Sequence, residues 1–600
     1  MPNVLTSLIA NGTARYGDRE VFSFPAADGS WQPTSWNEFA RMTSLAARAF
    51  ASMGLHEQEC VALFTQNRPE VLITDFAAYA NRACPISIYS TSSLDQVIYI
   101  VRDCNALMLM VGDERQLAIG LQAMDMCPSL KHLIVLDPEV KLPETDERVM
   151  TFEHLLLSGA DTDSDTGALV ESRTAAATPE DLATIIYTSG TTGEPKGAML
   201  PHSCFSAAII THRERLNFLT EDDTAVCFLP LSHIFEKAWN YFCLDRGIRV
   251  SINPDPHAIQ KTIAERRPSC MCSVPRFWEK VYSAIATKMG TMKGLRRMMI
   301  DRAIAVGRRR NLEYARRGLR APLLLELQYR FFRRTVYKPV QRLIGVENGK
   351  IYPTAGAPLS ASITEFFRSI GIPIWIGYGL SETTATVTCF PTDNYVIGSV
   401  GTTIPGVEVK IGPDNEILVK GPTVMSGYHG KPKETAEAFT ADGWLRTGDA
   451  GRLDEGALYL TERIKDLFKT SNGKYIAPQQ LESRLGEDSY IEQIALIGDQ
   501  RKYVSALIVP NYDELRRYAA QHNLPVYSTD DLVKNEQIRR MMAERIEKRQ
   551  ADLAPYERIK KFTLLPEEFT MAKGEITNTL KIRRPVIYKN YAETIDKMYE

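Results

Sequence analysis

The sequence predicts an α/β protein: a large N-terminal body of parallel α/β subdomains plus a small β unit, followed by a smaller α+β C-terminal domain. Three observations lead there. First, short apolar runs alternate with helical patterns such as ITDFAAYANRA at 73–83; the runs are CVALF at 60–64, LMLMVG at 107–112, HLIVL at 132–136 and ATIIYT at 183–188. Runs this short read as strands buried on both faces, and helices between them imply βαβ units and parallel sheets. Second, after about Val400 apolar and polar residues alternate with turn residues between them, as in PGVEVKIGPDNEILVKGPTVM at 405–425, which predicts antiparallel strands. Third, beyond about Asp466 strand-like QIALIGD and SALIVP mix with charged helices such as IRRMMAERIEKRQADL at 538–553. The expected division is 1–465 and 466–600. Within the first part, DTDSDTGALVESRTAAAT at 161–178 is polar and poor in large apolar residues, so it reads as a linker or surface loop.

Composition fits a globular chain of 600 residues, 44% hydrophobic and 24% charged. Its 71 basic and 73 acidic residues leave a net charge of −2, so no global field points to nucleic acid. The opening MPNVLTSLIANGTARYGDRE lacks the basic start of a secretory signal, and no apolar run reaches the ~18 residues of a spanning helix. A cytoplasmic location is expected. The ten cysteines lie between Cys60 and Cys389, and the one tight pair, Cys270 and Cys272, has no second pair or His cluster beside it. Small hydrophobes in a reducing cytosol are the better reading than metal ligands.

One stretch breaks the charge balance. Residues 288–342 carry 16 Lys or Arg against Asp301, Glu313 and Glu326, a net +13 that leaves −15 for the rest. LLLEL, Tyr329, Phe331 and Phe332 are interleaved, so a helix there would have one apolar and one basic face. Such a helix suits peripheral contact with an anionic membrane at its inner face. It equally suits a solvated face pairing with acids elsewhere in the chain, and both readings stand at this point. No nucleic-acid-binding module accompanies the patch.

The sharpest chemical signal is YTSGTTGEPKG at 187–197. Glycines let backbone N–H groups approach a ligand closely, hydroxyls add donors and Lys196 adds charge, a set suited to gripping a polyphosphate. It is not a Walker loop, because Pro195 precedes Lys196 and Gly197 follows it. Further motifs follow in order: FLPLSHIFE at 228–236, TAGAPLS at 354–360, GYGLSET at 377–383, GWLRTGD at 443–449, ERIKDLFKTSNGKYIAP at 462–478 and TNTLKIRR at 577–584. Together they closely resemble the signature motifs of the AMP-forming adenylate synthetases, the superfamily of acyl-CoA synthetases, firefly luciferase and peptide-synthetase adenylation domains. IYSTSSLDQVIYIVRD at 88–103, SVPRFWEK at 273–280 and LAPYERIKKFTLLPEEFT at 553–570 resemble the long-chain fatty acyl-CoA synthetase branch.

The resemblance implies a long-chain fatty acid–CoA ligase using ATP, Mg2+ and CoA, with acyl-AMP formed first and the CoA thioester second. The alternatives are a fatty acyl-AMP ligase feeding a carrier protein, a CoA ligase for a medium-chain or aromatic acid, and an inactive lipid-binding member of the family. Lys581 matches the lysine bridging carboxylate and α-phosphate, while Glu382 with Thr191 matches the magnesium ligands. Thr188, Ser189, Gly190, Thr191, Thr192, Gly193 and Lys196 would hold phosphates; Asp449 and Arg463 would hold the ribose. Gly356, Ala357, Pro358, Gly377, Tyr378, Gly379, Ser381 and Thr383 would wall the nucleotide, Tyr378 stacking on adenine. His233 belongs beside the acyl and thioester site, where it shapes the pocket rather than acting as a base, since a fatty carboxylate is already ionised. Ser471, Asn472, Gly473 and Lys474 would serve the CoA channel, and Asp466 would be the hinge of a mobile C-terminal domain. Thr354 and Ser381 depart from common spellings of their motifs.

Overall fold

The computed structural model describes residues 4–143, 146–188, 195–464, 467–471, 475–577 and 581–600. Its N-terminal half is built on a five-stranded parallel sheet in the order Cys84–Ile88, Cys60–Phe64, Met108–Val111, His132–Val135 and Val149–Thr151. The helices Pro69–Ala80, Leu94–Asp103 and Glu114–Met126 make the crossovers. The latter two start at capping boxes, Ser93 with Gln96 and Asp113 with Gln116, which satisfy the donors a helix start leaves open. The four apolar runs read as strands are all strands, but the fourth has a different partner. Leu182–Thr188 runs antiparallel to Lys196–Pro201, and Gly427–Tyr428 completes a three-stranded sheet. The expected βαβ unit is absent at this point because the chain returns as a strand, not a helix, after the glycine-rich loop.

A second correction concerns 161–178. Ser164–Ala176 is a helix, its first turn capped by the Asp163 carboxylate accepting from the Thr166 N–H. Its buried face is Gly167, Val170 and Arg173, and the Arg173 guanidinium donates to the Leu55 carbonyl and to Asn81. A helix whose inner face is one glycine, one valine and one paired arginine has no large apolar stripe to betray it.

The antiparallel strands after Val400 form as expected, Glu408–Ile411 pairing with Glu416–Lys420. They are not a separate unit, however. They close one end of an eight-stranded sheet whose other end holds the parallel pair Tyr352–Thr354 and Ile374–Tyr378. TAGAPLS and GYGLSET therefore sit at the carboxyl ends of adjacent parallel strands, where α/β folds present their ligand sites.

In the C-terminal region, Ile491–Ile497 pairs antiparallel with Val504–Pro510, which pairs in parallel with Ile559–Leu564. Alternate residues feed two cores. Ile494, Leu496, Ala506 and Ile508 face the helices Pro478–Gly486 and Glu536–Gln550, while Ala495, Ile497, Leu507 and Val509 pack with Phe569, Ile587 and Ile595.

The basic stretch is not one helix. It folds as Gly294–Arg308, Leu323–Phe332 and Lys338–Ile344, with wide turns at Arg309–Tyr314 and Arg333–Tyr337. Val306, Leu312, Leu325, Phe332 and Tyr337 point inward, while Leu295, Met298, Leu319, Leu323, Leu324, Leu327, Phe331 and Leu343 are exposed. Among the described ion pairs of its cations, only Arg308 with Glu365 reaches an acid outside 288–342. No described helix is long and apolar enough to cross a membrane.

Candidate active site

The expected residues fall into three clusters. In the first, Asp449 and Arg463 are paired across the antiparallel strands Leu445–Asp454 and Ala457–Arg463, and Arg463 Nε donates to Asp449 Oδ1 at 3.2 Å. The Tyr378 hydroxyl donates to Asp449 Oδ2 at 2.7 Å. Burial first, then the Asp449 charge, raises the Tyr378 phenol, which stays protonated as a donor. Each carboxylate oxygen retains lone pairs for further hydroxyl donors.

The second cluster centres on Glu382, in the turn Ser381–Thr383. The turn is followed by two residues with positive φ, Thr384 at 48° and Ala385 at 76°, a conformation that costs non-glycine residues energy and clusters at functional sites. It is clamped by Met425 N–H donating to the Glu382 carbonyl (2.8 Å) and by the Thr384 hydroxyl donating to the Thr423 carbonyl (2.7 Å). The Thr383 side chain is fully buried and its hydroxyl bonds Leu380, so it builds the turn. Tyr428, which the motifs did not single out, donates its hydroxyl to Glu382 Oε1 at 2.9 Å and lies under the Lys196 ammonium, 5.1 Å from the ring centre. Its only sequence signal was a Gly-Tyr pair in a polar loop; strand pairing brings it to the site.

The third cluster brings the C-terminal region in. The charge of Lys581 is felt at His233, whose pKa is pushed down to about 4 by burial first and Lys581 second. His233 caps the helix Ile234–Arg246, its Nδ1 accepting from the Phe235 N–H at 3.2 Å. A neutral imidazole accepting at Nδ1 carries its proton on Nε2 and is a donor there, a poor candidate for a general base at neutral pH. The FLPLSHIFE loop is pinned by Asn67, whose Nδ2 donates to the Leu229 carbonyl (2.8 Å) and whose Oδ1 accepts from the Leu231 N–H (2.8 Å). Asn67 had no sequence signal. The C-terminal region docks through Glu492, which pairs with Arg276 and with Lys280 of the helix Pro275–Thr291, and through the Gln479 N–H donating to Glu462.

The glycines of the site separate by cause. A side chain on Gly379 would meet the Ala385 carbonyl at 1.7 Å, so chain packing alone requires glycine there, and Gly377 lies against the Thr388 carbonyl. Gly356, at φ 92°, faces open space beside exposed Ala357 and partly buried Pro358, leaving that edge clear for a base. Thr354 has a reason of its own: its hydroxyl, Ser273 and the Trp278 indole N–H form a buried triangle of hydrogen bonds. Phe235 and Trp239 pack into the main core. Thr188 and Lys196 are paired across their strands at the two ends of the loop; Ser189, Gly190, Thr191, Thr192 and Gly193 lie outside the described residues. So do Asp466, Asn472, Gly473 and Lys474, whereas Ser471 is exposed, its N–H bonded to the Arg501 carbonyl.

A metal, if held here, has one described carboxylate to bind. Among the described residues no three His, Cys, Asp or Glu side chains converge as a metal-binding group. A lone carboxylate beside the strand that carries Lys196 suits magnesium, which takes few protein ligands and keeps water and other oxygen ligands.

Comparison with known proteins shows the family. The family model described as AMP-binding enzyme matches residues 9–429, and that described as AMP-binding enzyme C-terminal domain matches 465–600. The chain is 31% identical over 575 residues to long-chain-fatty-acid–CoA ligase FadD15 of Mycobacterium bovis, covering 95% of this chain and 93% of that one. It is 30% identical to long-chain-fatty-acid–CoA ligase ACSBG2 of Xenopus laevis, covering 100% of this chain and 84% of that one. Its fold matches the A-PCP didomain of carboxylic acid reductase from Segniliparus rugosus in complex with AMP, at a TM-score of 0.77 and 18% identity over 99% of this chain and 82% of that one. This chain belongs to the AMP-binding, adenylate-forming enzymes, with the α/β adenylation fold of a large N-terminal AMP-binding domain and a C-terminal domain.

Proposed function

We propose that this enzyme is an acyl-CoA ligase that activates a long-chain fatty acid, first as acyl-AMP and then as the CoA thioester. The observation that carries it is the assembly of Asp449 with Arg463 and of Glu382 and Lys196 around Tyr428 in the same body, with the charge of Lys581 acting on His233. A fatty carboxylate oxygen attacks the α-phosphorus of ATP, the bond to the β-phosphate breaks and pyrophosphate leaves. Lys581 neutralises charge between carboxylate and α-phosphate, Lys196 holds the outer phosphates, Asp449 accepts from the ribose hydroxyls and Arg463 fixes Asp449. His233 presents its Nε2 proton to the acyl side of the site. Magnesium, held by Glu382 and Thr191, would supply further neutralisation of the phosphates. For the second step Lys581 withdraws about a hinge at Asp466, and the thiol of CoA attacks the acyl carbon with AMP as leaving group.

Relatives named as long-chain ligases at 30–31% identity support the fatty-acid substrate, as does the apolar and basic surface of 288–342, which suits an enzyme taking its acid from an anionic bilayer at the inner face of the membrane. Pyrophosphate exchange into ATP, driven in turn by a panel of acids from acetate to stearate plus benzoate, should peak at the long-chain end, with AMP release requiring free CoA. Lys581→Ala should cut that exchange by about a hundredfold or more. A peak at benzoate or octanoate, or AMP release only with a carrier-protein thiol, would replace the substrate named here; undiminished exchange in the Lys581 variant would remove the mechanism.

A further inference from the structure

Tyr428, Glu382 and Lys196 meet at one point of the site. Lys196 and Glu382 are opposite charges on neighbouring segments, yet among the described residues they form no ion pair with each other. Tyr428 touches both: its hydroxyl donates to Glu382 Oε1 at 2.9 Å, and its ring face receives the Lys196 ammonium at 5.1 Å. A phenol is suited to this, having a donor at its edge for an anion and electron density on its face for a cation.

The backbone fixes Tyr428 there. Gly427–Tyr428 pairs with Lys196–Pro201, Tyr428 opposite Ala198, and the His429 N–H donates to the Gly197 carbonyl at 2.8 Å. The Tyr428 N–H bonds the Thr435 hydroxyl at 2.9 Å, and a side chain on Gly427 would strike Thr435. On the other side, Met425 N–H holds the Glu382 carbonyl. Tyr428 is thus tied both to the strand that carries Lys196 and to the turn that carries Glu382.

We propose that Tyr428 is a positioning residue that holds the Glu382 carboxylate open for a divalent cation and keeps Lys196 from collapsing onto it. This rests on Glu382 being the metal-binding acid. In the absence of the phenol, Lys196 and Glu382 would pair directly, which removes the loop lysine from the phosphates and the carboxylate from the metal in a single rearrangement.

The test is isothermal titration of ATP into the full-length enzyme, once with excess magnesium and once with EDTA, for Tyr428→Phe, Tyr428→Leu, Glu382→Gln and the Tyr428→Leu/Glu382→Gln double variant. Tyr428→Phe keeps the ring but loses the hydroxyl, so the dissociation constant should rise about tenfold with magnesium and change less than about twofold with EDTA. Glu382→Gln should show the same pattern. Tyr428→Leu should also weaken binding in EDTA, because Glu382 captures Lys196, and the double variant should restore the EDTA arm. Tyr428→Phe behaving as wild type while Glu382→Gln loses its magnesium response would overturn the role of Tyr428. Equal loss in both arms for Tyr428→Phe would reduce it to a structural residue. If Glu382→Gln itself shows no magnesium-specific loss, the metal assignment of Glu382 fails first and the inference falls with it.

Discussion

The helix that follows His233 and the helices of 288–342 treat charge in opposite ways. In the first, Lys237 and Asp75 are both fully buried and paired at 2.6 Å, with the Tyr241 hydroxyl donating to the same carboxylate oxygen at 2.8 Å. The neighbouring Glu236 is also fully buried but faces Cys227 and Asn240 rather than a cation, and burial pushes its carboxyl up to about 8. In the second region charges and large apolar side chains share the outer surface, Leu323 being 85% exposed and Leu295 79%. A charge inside a protein must be paired or neutralised, and the first region shows each solution side by side. An exposed Leu is ordinary, but large apolar side chains clustered among arginines that, among the described residues, mostly lack an ion pair form a patch of the kind that binds a partner or a surface.

Breaking the buried pair should have the largest effect. Asp75→Asn leaves the Lys237 ammonium without its counter-charge and should destabilise the N-terminal body by about 3–5 kcal/mol. The denaturant midpoint measures it, and a shift worth less than about 1 kcal/mol would mean that Lys237 is not sealed from water. Next comes Glu236, which distinguishes pairing from neutralisation. Its folded pKa lies above the ordinary carboxylate value, so between about pH 4.5 and 8 the folded state holds a proton that the unfolded chain has lost. Its contribution to stability therefore falls as pH rises through that window and levels off above about 8. Glu236→Gln cannot ionise, and its stability relative to wild type should improve between pH 5 and 8 by roughly 3 kcal/mol. A pH-independent difference would show that Glu236 is ionised in the native protein.

The smallest effect belongs to the exposed region. Replacing Leu323, Leu327 and Phe331 together by Ser should weaken sedimentation with phosphatidylglycerol vesicles about tenfold, from partial loss of buried apolar area. Pyrophosphate exchange with a detergent-dispersed acid should be unchanged. Equal vesicle binding by the variant would show that these side chains contact no bilayer, leaving the segment as a solvated face.

Much of the site was legible in the chain because its chemistry is local. Asp449, Arg463, Glu382, Lys196 and Lys581 each lie in a short motif whose order along the sequence identifies the family. The strands Cys60–Phe64, Met108–Val111 and His132–Val135 were legible for a similar reason, since a strand buried on both faces must be apolar throughout. The reading failed where partners are distant. Ser164–Ala176 buries a paired arginine instead of a large apolar stripe, and Leu182–Thr188 looks like a parallel strand until its partner is known.

The sequence by itself determined the chemical equipment: which charges, hydroxyls and glycines are available, and in what order. Only the tertiary structure decided which of them meet. Tyr428 reaches Glu382 and Asn67 pins the His233 loop through contacts between segments far apart in the chain. Gly379 is glycine because the Ala385 carbonyl leaves its side no room. Local preferences are set by neighbouring atoms along the backbone, whereas these contacts arise when separate surfaces exclude water together.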